Sequence, residues 1–131
     1  EHPDFPVIAH KPQFVLGNSH NTELIIDLCK NMYDLVIIDG DHEMSAHIDW
    51  WCFAPIARKA VAIHDIEEYR KTPLRDNNWW PMRFWQKAVQ EFPKVHEFTD
   101  SDKGNWGIVD MAELRKKPDV LEASYQWFQG A

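Results

Sequence analysis

Apolar residues fall along the chain in two kinds of pattern, short unbroken runs and sets spaced three or four apart, and their alternation predicts the elements. "QFVLG", residues 13 to 17, is an apolar run closed by Gly17 and predicts a buried strand. "NSHNTELIIDLCKNM" then offers Asn21 or Thr22 as an N-cap and places Leu24, Ile25, Leu28 and Cys29 at helical spacing. "YDLVIIDG", residues 33 to 40, is continuous and β-branched, the pattern of a strand covered on both faces in a parallel sheet. A helix over residues 43 to 53 carries Ile48, Trp51 and Cys52, and Pro55 turns the chain soon afterwards. "AVAIHDI", residues 60 to 66, predicts a third buried strand.

Beyond Pro73 the pattern predicts a loop and then a helix over residues 81 to 91 with Phe84, Trp85 and Val89, ended by Pro93. "VHEFTDSDKGNWGIVDM", residues 95 to 111, reads as two short strands around a turn holding Gly104, a hairpin. A final helix is predicted over residues 118 to 129, with Pro118 in its tolerated first turn. Strand, helix, strand, helix, strand is the signature of an α/β fold, and right-handed crossovers make the expected sheet mostly parallel. There is no internal repeat and no low-complexity linker.

Composition narrows the class. A chain of 131 residues supports one domain with a real core and is too short to expect two. Its 44% hydrophobic content, with seven tryptophans and seven phenylalanines, is globular, and no apolar run approaches the roughly 20 residues of a membrane span. A soluble protein with no membrane partner is expected. The formal charge of -7 and the scarcity of Lys/Arg clusters argue against nucleic acid, whose binding depends on cations that displace counterions. Cys29 and Cys52 have no metal-ligand spacing and nothing at the N-terminus resembles a signal peptide, so a reducing cytoplasm is expected. The first residue is Glu1 rather than methionine, which suggests an excised piece.

Candidate chemistry gathers at strand ends, where loops of an α/β sheet present ligand-binding groups. These ends are Gly17-Asn18-Ser19-His20, Asp39-Gly40-Asp41-His42 and His64-Asp65. If the second and third strands are parallel neighbours, Asp39, His64 and Asp65 reach one end of the sheet together, a carboxylate and imidazole set suited to Mg, Mn, Fe or Zn. Asp39 and Asp65 each close an apolar strand, where an unpaired carboxylate is costly to bury. Asp41 is read equally well as a helix cap. His20 and His47 read as ordinary surface histidines, and the charge run at Glu67, Glu68, Arg70 and Lys71 as a solvated segment. The aromatic stretch "NNWWPMRFW", residues 77 to 85, reads as core or subunit interface before a substrate lid.

Taken in order, "FVLGNSH", "YDLVIIDGDHEMSAHID", "AVAIHDI", "RFWQKAV", "HEF" and "GNWGIVDM" resemble the C-terminal part of a class I S-adenosylmethionine-dependent methyltransferase. The group it is most similar to has a "GDSH" turn, an "IDGDHSYE" strand end and a "FHDI" strand end, and is related to cephalosporin-hydroxylase-like and metal-dependent O-methyltransferases. The resemblance spans residues 13 to 111. It implies a Rossmann-like α/β fold, with a mostly parallel sheet ending in an antiparallel hairpin. Methyl transfer from S-adenosyl-L-methionine to a small-molecule acceptor, at oxygen, is the implied reaction, assisted by Mg or Mn.

Position by position, the resemblance implies that Asp39, His64 and Asp65 hold the divalent cation. Gly17, Asn18 and Ser19, with Asp39, would lie along the cofactor. Asp41 and His42 would sit at the methionine end and the acceptor, with His42 as general base because imidazole titrates near neutrality. The chain departs from the family in lacking, before Gln13, the glycine-rich strand-turn-helix and the acidic strand end that holds the ribose. It is therefore read as a single methyltransferase-like domain over residues 1 to 131 that lacks the N-terminal cofactor-binding part, with a missing N-terminal half or a second copy in a homo-oligomer as the expected partner. "ARKA" replaces the usual Pro-Gly-Gly turn, and Asn18 stands where Asp is usual.

Other classes fit parts of the pattern. Asp39 and Asp41 in "IIDGD" also look like the DxD strand end of a metal-dependent glycosyltransferase. Asp39, Asp41, His42, His64 and Asp65 could instead serve a metal-dependent phosphoesterase with an activated water. A non-catalytic interaction domain is the third reading.

Overall fold

The computed structural model describes residues 15–40, 47–66, 80–100 and 104–127. The elements, in chain order, are α1 (Thr22–Leu28), β1 (Tyr33–Ile38), α2 (His47–Phe53), a 3-10 turn (Ala54–Ile56) and β2 (Ala57–His64). They continue with α3 (Trp80–Glu91), β3 (Val95–Asp100), β4 (Gly104–Asp110), α4 (Met111–Arg115) and α5 (Pro118–Ser124). The fold is α/β around one four-stranded sheet of order β1-β2-β4-β3.

β1 and β2 pair in parallel, with Val36 beside Val61 and Ile38 beside Ile63. β4 runs antiparallel to β2, and β3 closes the hairpin against β4. Among the described strands one pairing is parallel and two are antiparallel, so the sheet is mixed and not mostly parallel. The strand expected over residues 13 to 17 accounts for part of this difference. Its described residues, Val15 to Gly17, form no strand, and Val15 and Leu16 are exposed. No described strand pairs with the outer edge of β1, so this segment finds no ladder for its backbone groups there.

The same position at the edge corrects a second expectation. β1 was expected to be covered on both faces, yet Tyr33, Leu35 and Ile37 are exposed and only Ile38 is buried. β2, with a neighbour on each side, buries Val61, Ala62 and Ile63. In β4 the alternation is regular: Asn105, Gly107 and Val109 are buried while Trp106 and Ile108 are half-buried, the period of a strand with one packed face.

That face supports the core. Val61, Ile63 and Val109 join Trp50 of α2, Phe84, Trp85 and Ala88 of α3, and Met111 and Leu114 of α4 in one apolar cluster. Trp50 and Phe84 ring centroids lie 4.7 Å apart, and Trp80 stacks on Phe84 at 4.7 Å. The aromatic stretch thus supplies core at Trp80, Phe84 and Trp85; residues 77 to 79 lie outside the described set. Within α2 the inward residue is Trp50 rather than the expected Trp51, which is exposed, and in α3 Ala88 is buried where Val89 was expected.

Local signals account for the helix ends. Asn21 caps α1 by accepting the Leu24 backbone N–H at 3.1 Å, and Asp110 caps α4 by accepting that of Glu113 at 3.0 Å. α4 is an element the hydrophobic pattern did not announce. α5 begins at Pro118 as expected but ends at Ser124, short of residue 129.

Candidate metal centre and adjoining cleft

Parallel pairing brings the strand ends together. The register that sets Ile38 beside Ile63 carries the next residues, Asp39 and His64, side by side on one face of the sheet. His64 Nδ1 lies 2.9 Å from Asp39 Oδ1. Asp65 follows His64 directly, and successive strand residues point to opposite faces, so a regular strand would turn its carboxylate away. Instead Asp65 has φ 61°, a left-handed conformation uncommon outside glycine. Its Oδ2 comes within 3.1 Å of the same His64 Nδ1.

Two residues of β4 hold this arrangement, one through its backbone and one through its ring. The Asp65 backbone N–H donates to the Asn105 carbonyl oxygen at 2.8 Å, which fixes the turn as the strand ends. Trp106 is the antiparallel partner of His64, and its ring lies 4.4 Å from the imidazole centroid. The indole therefore limits rotation of the ring that both carboxylates meet. Neither Asn105 nor Trp106 was singled out from the sequence, because their roles depend on the register of the β2–β4 pair.

The donor set fits a divalent cation. Asp39, His64 and Asp65 each offer one ligand atom, and these atoms all lie within 4.8 Å of one another. An octahedral ion with bonds of about 2.1 Å separates neighbouring ligand atoms by about 3.0 Å. The separations from Nδ1, 2.9 and 3.1 Å, match that edge. Two carboxylate oxygens with one imidazole suit Mn, Fe or Zn, and Mg with more water in its shell. Asp39 is half exposed, so the cluster is open to a ligand from outside, whereas Asp65 is almost wholly covered. The same three side chains can also satisfy one another through a hydrogen on Nδ1.

A cleft of about 660 Å³ adjoins the cluster. Val36, Ile38 and Phe53 give it apolar walls, Gly17 and Ser19 form one side, and Asp39, Gly40 and Asp49 add polar groups. Asp39 belongs to both the cleft and the cluster. Asn18 does not line the cleft among the described residues; its Oδ1 accepts the His20 backbone N–H at 2.9 Å and shapes the turn. Asp49, which the sequence reading passed over, is buried on α2, and His20 reaches it at 3.5 Å. His20, read from sequence as a surface residue, thus helps to join the Gly17–Ser19 turn to α2. His47 begins α2 and is half-buried.

Asp41 and His42, the expected acceptor-side pair, lie outside the described residues, as does the charge run from Glu67 to Lys71. Comparison with protein-family models, with curated proteins and with solved structures finds no match to this chain. Among the described residues no helix is long and apolar enough to cross a membrane.

Proposed function

We propose that this chain is the C-terminal part of a Rossmann-like, S-adenosylmethionine-dependent methyltransferase that methylates a hydroxyl oxygen of a small acceptor with a divalent cation bound at Asp39, His64 and Asp65. The observation that carries the reading is that Asp39 joins two features: the three-ligand cluster at the ends of β1 and β2, and the cleft edged by Gly17 and Ser19. A parallel pair followed by an antiparallel hairpin agrees with the resemblance, as does the order of the motifs.

Methyl transfer from a sulfonium to a hydroxyl oxygen is an in-line displacement that releases a thioether and a proton. Geometry supplies most of the acceleration, because holding two reactants in line replaces a bimolecular encounter. The apolar walls Val36, Ile38 and Phe53 suit the flat base of a nucleoside, and Gly17 and Gly40 let a ligand approach the backbone closely. Asp39, His64 and Asp65 would hold the cation. Bound there, a cation would chelate acceptor oxygens and lower the hydroxyl pKa. Trp106 and Asn105 position His64 and Asp65 for that work.

Thermal unfolding tests the reading, since a ligand that binds only the folded state raises the midpoint. S-adenosylhomocysteine should raise it, and Mn should raise it further; Asp65→Asn should remove the Mn shift and keep the shift with S-adenosylhomocysteine. A shift with Mn and none with S-adenosylhomocysteine would sink a self-sufficient cofactor site in these residues, and phosphodiester turnover by the same sample would sink methyl transfer in favour of a metal-dependent phosphoesterase. Absence of both shifts would sink the site as well.

A further inference from the structure

Two residues the proposed reaction does not use are brought together by the fold. Cys29 is the C-cap of α1, where its backbone N–H donates to the Ile25 and Asp27 carbonyls. Its thiol donates to the carbonyl oxygen of Cys52 in the last turn of α2 at 3.6 Å. Both cysteines are free and half-buried, so a small solute can reach them. We propose that Cys29 and Cys52 form a modification site, a dithiol that small-molecule disulfides of the oxidised-glutathione class convert into an intramolecular disulfide tying α1 to α2.

The geometry favours closure within the chain. Cys29 Sγ already touches the carbonyl oxygen of residue 52, so closure needs only the further approach that brings the two Cβ atoms to about 4 Å. α1 buries none of its side chains and can shift to complete the approach. The reaction balances as two exchanges. One protein thiolate attacks a glutathione sulfur, forming a mixed disulfide and releasing one glutathione thiol. The second protein thiolate then attacks the protein sulfur and releases the other, so the two hydrogens lost by the protein leave on two glutathiones.

Burial pushes both thiols up, and Cys52 is raised further by the nearby Cys29 and Asp49 charges. Cys29, with fewer negative neighbours, is therefore the attacking thiol in the first exchange. Raised thiols react slowly but are also poor leaving groups, so the bridge resists reduction once formed. Its consequence is mechanical. Asp49 and Phe53 on α2 line the cleft, and Gly17 and Ser19 lead into α1, so one bond would stiffen both sides.

The test incubates the full chain in glutathione buffers of increasing oxidation and reads intact mass, alkylatable thiols and amide hydrogen exchange. The expected product is lighter by about 2 Da, has no free thiol, and shows slowed exchange of the α1 amides. Cys29→Ser and Cys52→Ser should each gain one glutathione, roughly 305 Da, with no slowing in α1. The proposal is overturned if the parent chain accumulates glutathione on both cysteines, links to a second chain, or stays reduced in the most oxidising buffer.

Discussion

Gly107→Ala is the sharpest perturbation this fold offers. Gly107 lies in β4 between Ile63 of β2 and Glu97 of β3, directly beneath the Trp85 indole. A Cβ at this position would lie 2.5 to 2.6 Å from three carbons of the six-membered ring, well inside van der Waals contact. The indole cannot withdraw freely, because Trp85 is 3% exposed and its Nε1–H donates to Glu97 Oε1 at 2.5 Å. Overpacking of this kind costs about 1–3 kcal/mol. Loss of the indole hydrogen bond adds about 0.5–1.5 kcal/mol. The stiffer alanine backbone returns about 0.5–1 kcal/mol. The net is a loss of about 2 kcal/mol, readable as a lower urea midpoint at unchanged slope. In a Trp85→Leu background the ring carbons are gone and only the backbone term is left, so the substitution should stabilise by about 0.5–1 kcal/mol, giving a coupling of about 2–3 kcal/mol in the double-mutant cycle. Equal cost in both backgrounds, or no cost in the parent, would refute the reasoning.

Three further substitutions follow from the same contacts. Trp50→Ala empties the centre of the aromatic cluster and removes the indole N–H that the Ser124 hydroxyl accepts at 3.0 Å, so equilibrium denaturation should report a loss of about 3–5 kcal/mol. Arg115 donates to the carbonyls of Arg58, Pro55 and Ala57; Arg115→Ala should cost about 1.5–3 kcal/mol by the same assay, and Arg115→Lys should recover less than half because an ammonium lacks the planar fork. The Asp110 carboxyl is held below the ordinary aspartate range, chiefly by the Glu113 N–H and in smaller part by the Lys94 charge, against some burial. A group with a depressed folded pKa stabilises fully above its unfolded value and loses that contribution as pH falls through the folded one. Asp110→Ala should therefore cost about 1 kcal/mol at pH 6, and the gap to the parent should close as pH falls below about 4; a gap independent of pH would contradict the assignment.

Some of this architecture was legible in the sequence because it rests on local pattern. The β-branched run at residues 33 to 38 and the apolar run ending at His64 became the parallel pair, and that pairing sets Asp39 beside His64, while Asp65 joins them only through its left-handed turn. Asn21 announced its helix through a short polar side chain before an apolar set. What was not legible depends on partners far along the chain. Whether a β-branched strand is covered on both faces depends on its neighbours, and β1 has one. The choice of Trp50 over Trp51 is a rotation of about 100° around α2, fixed by Phe84 and Phe92. Trp106 meets His64 through hairpin register, and the Asp65 turn is a backbone feature that no residue type announces. α4 follows β4 directly, with Asp110 both ending the strand and capping the helix, and at five residues it is too short for periodicity to stand out.

The edge position of β1 also bears on handling the protein at high concentration. Its outer backbone groups have no described strand beside them, and Leu35 and Ile37 stand exposed without a lysine or proline within the strand to discourage pairing. Such an edge is a template for strands from other molecules, so it governs colloidal behaviour as much as fold. A lysine introduced at Ile37 would act as a gatekeeper there: the core cluster does not include this side chain, and the added charge would oppose edge-to-edge growth of aggregates.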